Sequence, residues 1–105
     1  MKGIAQRYFE KRVGLDREFV KGLPKLLAEA SKKRPGLELL TIVDDDEISH
    51  YRLGPPGYVE LYSVNNRTGD VKPWPPGKIA YENFASTIPL EKLSNVALSL
   101  SYRRL

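Results

Sequence analysis

The residues best equipped for chemistry lie in the middle of the chain. They are Ser49 beside the single histidine, His50, and the acidic run Asp44-Asp45-Asp46-Glu47 just before them. Adjacent strand residues point to opposite faces, so Ser49 and His50 do not form a nucleophile–base pair. A general base would then need a carboxylate supplied by tertiary folding, and the ordinary expectation for His50 is a partly exposed strand residue. Consecutive carboxylates could hold a hard cation such as magnesium or calcium. This run lacks the interleaved spacing and later bidentate glutamate of a calcium loop, so it reads as a solvated acidic turn facing the basic helices. Gly77-Lys78 has neither the earlier glycine nor the following hydroxyl residue of a phosphate loop. Arg67-Thr68-Gly69-Asp70 is hairpin punctuation. With no cysteine, thiol catalysis, disulfides and cysteine-based zinc sites are all excluded. These observations argue against an enzyme, and no catalytic residue, metal site or cofactor is expected.

Charge and aromatic content point to binding instead. Residues 1–36 hold ten Lys/Arg against four Asp/Glu, whereas the rest of the chain holds seven against nine. A basic N-terminal third suits phosphate or an acidic protein surface, although a solvated helix face gives the same composition. Tyr51, Tyr58, Tyr62, Trp74 and Tyr81 are interleaved with Arg52, Arg67, Lys72 and Lys78. Single-stranded nucleic acid stacks its bases on such rings while cations meet its phosphates. Core and cross-strand packing would use the same rings.

The elements that position these residues follow from periodicity. Ile4, Ala5, Tyr8, Phe9 and Val13 recur at helical spacing, and Gly14 is a natural stop. Asp16 is then the cap of a second helix, whose face is Phe19, Val20, Leu23, Leu26, Leu27 and Ala30, with Pro24 as a kink or restart. "KKRPG" ends the helical region, and the period changes to strands at 37–43, 47–53, 58–64 and 70–74. Residues 79–88 carry both helical and strand signals. Val96, Leu98, Leu100 and Tyr102 alternate with small or polar residues, which reads as a closing strand. The expected fold is α+β, with two N-terminal helices packed on one face of a four- to five-stranded, mainly antiparallel sheet. Residues 1–105 form one domain on this reading, with a basic helical part at 1–34 and mainly antiparallel strands over 37–105.

No apolar run approaches the roughly 20 residues of a membrane span, and the N-terminus lacks a signal-peptide pattern. A cytoplasmic setting is therefore expected, in a prokaryote or in the host cell of a virus. The expected function is non-enzymatic binding of nucleic acid. Its phosphate contacts would come from Arg7, Lys11, Arg12, Arg17, Lys21, Lys25, Lys32, Lys33 and Arg34, and its base contacts from sheet aromatics. The competing expectation is a protein-interaction module, such as an inhibitor, an immunity-type protein or a viral or phage assembly component. It would use a proline–aromatic corner where "GPPG" (54–57) and "PWPPG" (73–77) meet, with Tyr58 and a partly buried Trp74 as anchors.

Overall fold

Alternating β-branched and aromatic residues, broken by short turns, produce one antiparallel meander. A computed structural model describes the backbone of residues 4–101 and the side chains of residues 17–101. Its strands are β1 (Glu38–Val43), β2 (Glu47–Leu53), β3 (Tyr58–Asn65) and β4 (Val71–Ala80), in the order β1-β2-β3-β4. The β1–β2 turn closes when the Asp44 N–H donates to the Glu47 carbonyl at 2.8 Å. In the β3–β4 turn, Asn65 Oδ1 accepts the N–H groups of Arg67 (2.9 Å) and Thr68 (3.0 Å). Gly69 then takes φ +77°, a left-handed conformation that costs glycine little, and returns its N–H to the Asn65 carbonyl.

One face of this sheet is apolar. Leu40, Tyr51, Leu53 and Val59 are buried there, and the helices cover them. The chain begins with α1 (Ile4–Lys33); after β4 come the single turn α2 (Tyr81–Phe84), two 3-10 turns (Ala85–Thr87 and Leu90–Lys92) and α3 (Leu93–Ser101). The α3 helix packs on β1, and α2 on β3 and β4, while α1 lies against both α2 and α3. Leu23 and Leu27 of α1, Phe84 of α2 and Val96 of α3 are fully buried in the shared core. Each contributes roughly 1.5–3 kcal/mol by leaving water.

The α+β class and the antiparallel sheet are present, with two departures from the expected arrangement. The first concerns the N-terminal region, where one helix replaces the expected two: α1 continues through both Gly14 and Pro24 and packs chiefly on α2 and α3, so the C-terminal helices rather than N-terminal ones cover the sheet. Gly14 costs the helix only about 1 kcal/mol, and the roughly 3 kcal/mol cost of Pro24 is offset by burying Leu23 and Leu27 on either side of it in one core. The second is the expected closing strand, which is helical. Leu93, Val96 and Leu100 face the core at i, i+3 and i+7, and Leu98 is exposed, so the true period is 3.6 rather than 2. Tyr102 lies outside the described residues. In the ambiguous segment both signals operate in turn: Ile79 and Ala80 end β4, and Tyr81 begins α2.

Candidate nucleic-acid interface

The first candidate surface is the solvent side of α1. At 100° per residue, Arg17, Lys21, Lys25 and Lys32 fall on the side of the helix opposite Leu23, Leu27 and Ala30. The first three repeat at i, i+4 and i+8, about 6 Å apart along the axis. All four are exposed, and none forms an ion pair with another described residue. Lys33 is exposed on the flank of the stripe, and with Lys32 it sits in the last turn, where the helix dipole favours cations. Arg34 is different: it is half-buried, and its Nη2 donates to the Leu100 carbonyl at 2.9 Å, fastening the end of α1 to α3. Arg7, Lys11 and Arg12 have side chains outside the described residues. Glu18 and Glu29 are exposed acidic residues that border the same stripe, about 20° and 40° around the helix from Lys25.

The second candidate is the outer face of the sheet, which no described helix covers. Register places Thr41, His50 and Tyr62 in one row across β1, β2 and β3. His50 stacks on Tyr62, with ring centroids 5.0 Å apart and planes 19° apart. The Arg52 guanidinium lies 5.1 Å from the same ring and pairs through Nε with Glu60 Oε1 at 2.9 Å. His50 Nδ1 meets Glu38 Oε1, which also accepts the Thr41 hydroxyl. A carboxylate only accepts, so Nδ1 carries the hydrogen. Gly54 makes room for this arrangement, since a Cβ there would stand 2.5 Å from Glu60 Cγ. Tyr62 is thus occupied by its own neighbours, and Glu38 and Glu60 offset Arg52 and Lys78 in the next row. Tyr58 and Trp74 remain exposed on the sheet, but this face lacks the positive balance that phosphate contacts beside stacked bases require.

Packing separates the two surfaces. The α1 stripe points away from a core whose other boundary is the inner sheet face, so stripe and outer sheet face lie on opposite sides of the molecule. One strand of nucleic acid cannot readily reach both.

The proline–tryptophan segment also departs from expectation. Its residues form the middle of β4 rather than a loop at the strand end. Lys72 pairs with Ser63 and Gly77 with Leu61, so Pro73–Pro76 bulge out opposite the single residue Tyr62. Proline has no N–H for a ladder, and an edge strand tolerates that. Trp74, between cis Lys72-Pro73 and Trp74-Pro75 bonds, is 70% exposed rather than partly buried. Tyr58 pairs with Ala80 at the far end of β4, beside the 54–57 loop, so the two expected anchors do not share a corner. Lys78 instead lies 5.9 Å from the Tyr58 ring centre.

The remaining candidates are structural. Ser49 faces inward and shares a 2.8 Å hydrogen bond with Ser63, on the side of β2 opposite His50. Asp46 pairs with Arg67 Nε at 3.2 Å, and its carbonyl accepts the Asn66 N–H at 2.7 Å, so the acidic turn is tied to the neighbouring hairpin rather than to the basic helix. No cluster of three or more metal-ligating side chains occurs among the described residues, and no described helix is long and apolar enough to cross a membrane. The cross-strand group around Tyr62 escaped sequence reasoning because it is created by register; alternation in β2 marked His50 and Arg52 as one face, but not their partners. No family model, curated protein or solved structure matches the chain.

Proposed function

We propose that this protein binds nucleic acid through phosphate contacts from the solvent face of α1, without reading base sequence. The observation that carries this reading is the line formed by Arg17, Lys21, Lys25 and Lys32, exposed on one helix side and without acidic partners among the described residues. Tyr62 adds no base contact to this reading, because it is engaged by His50 and Arg52. Fluorescence anisotropy with single- and double-stranded DNA and RNA at two salt concentrations tests it. Four duplex contacts predict a log K versus log salt slope of about −3.6. The double variant Lys21→Glu/Lys25→Glu lowers the slope magnitude by about 2 and weakens binding alike for all sequences. No binding even at low salt would refute the proposal.

A second reading, a protein-interaction module, is favoured by the exposure of Trp74. Its signature is a stoichiometric protein partner whose binding changes little with salt and is lost in Trp74→Ala.

A further inference from the structure

The outer sheet face carries a row that the fold leaves unused. Val43, Ile48, Val64 and Val71 pair in register across all four strands, outside the core cluster, and Val43 is 72% exposed. Aliphatic residues in register on a sheet face that no described helix covers resemble the inner layer of a sheet that packs against another.

A parallel row on the same face indicates what that second sheet is. Glu38, Arg52, Glu60 and Lys78 are successive partners across β1, β2, β3 and β4, so their charges alternate −, +, −, +. Read backwards, the row is its own complement. A two-fold axis between two such sheets, parallel to the strands, lays β1 over β4 and β2 over β3 of the second copy. Glu38 then faces Lys78 of the second copy, and Arg52 faces Glu60. The same operation sets Val43 over Val71 and Ile48 over Val64. An axis perpendicular to the strands through the middle of the face would lay the valine row over the charged row, desolvating ions against aliphatic carbons, and one through the valine row would leave both charged rows outside the contact.

We infer that the protein forms a two-fold homodimer by packing these outer sheet faces together. The inference builds on the second reading by giving the partner an identity, and it is independent of nucleic-acid binding by α1. Strand and row spacings give a face on the order of 400 Å² per copy in projection, about half that of a standard interface, so weak association, in the range of tens to hundreds of micromolar, is expected.

Sedimentation of the full chain from about 1 μM to about 500 μM tests this range. The wild type is expected to pass from monomer to dimer. Glu38→Lys brings two ammonium groups together across the interface, and Lys78→Glu brings two carboxylates together; each variant alone dimerises about tenfold more weakly. Mixing the two variants restores association, because both cross-copy pairs in the mixed dimer are again opposite in charge. A misfolded variant would not be rescued by mixing. Wild type that stays monomeric throughout, or a mixture no tighter than its components, would overturn the inference. A monomer that captures another protein through Trp74 would overturn it while leaving the second reading intact.

Discussion

Tyr81 is buried in the core with Phe84, yet its hydroxyl has no hydrogen-bond partner among the described residues. A buried hydroxyl without a partner loses its hydration and receives nothing in return, a cost of roughly 1–3 kcal/mol. Tyr81→Phe is therefore expected to raise unfolding stability by about 1 kcal/mol in urea denaturation, and a loss of stability would count against this account. The same scale shows where residue type alone informs and where it does not. His50 is a half-exposed strand histidine, as its surroundings in the sequence imply. Trp74 is exposed because three prolines without N–H groups prevent its segment from pairing, and four residues then share the space opposite one. The prolines are visible in the sequence, but the length mismatch that expels Trp74 emerges only once β3 and β4 are aligned.

At the scale of elements, the meander was the most legible part. Each strand from Glu38 to Asn65 has β-branched or aromatic residues between turns of Asp, Gly, Pro or Asn, so local preference and tertiary demand agree. Disagreement concentrates at the ends. Leu98 and the small residues around it imitate a two-residue period, and only packing against β1 reveals that Leu93, Val96 and Leu100 are the buried set. The helix also protects the free edge of β1, where Ser99 Oγ donates to the Leu39 carbonyl at 2.9 Å. An uncovered edge invites pairing with other chains. Ser99→Ala is expected to cost about 1 kcal/mol and to speed amide exchange in α3 more than in β2 or β3. Uniform acceleration across the sheet would instead mean that the bond serves global stability alone. The α1 stripe was half legible: charge density marked the region, whereas the side of the helix on which it lies followed from where Leu23 and Leu27 are buried.

At the scale of the whole molecule, one core group ties stability to pH. Burial pushes the Tyr51 phenol above its ordinary value of 10.0. The folded protein thus keeps a proton that the unfolded chain releases near pH 10, so this contribution is complete below that pH and is lost as pH rises through the raised value. Stability measured from about pH 9 to about pH 11 should fall less steeply in Tyr51→Phe than in wild type. Equal slopes would show that Tyr51 does not govern the alkaline limb. The placement of the basic stripe and the outer sheet on opposite sides has a further consequence. Were α1 to hold a copy on a polyanion, its outer sheet would point away from that filament, and copies on two filaments would meet face to face at high local concentration. A contact that is feeble in dilute solution becomes effective under such tethering, as in any multivalent array. The molecule would then act as a two-sided fastener, gripping a filament with one side and drawing filaments together with the other.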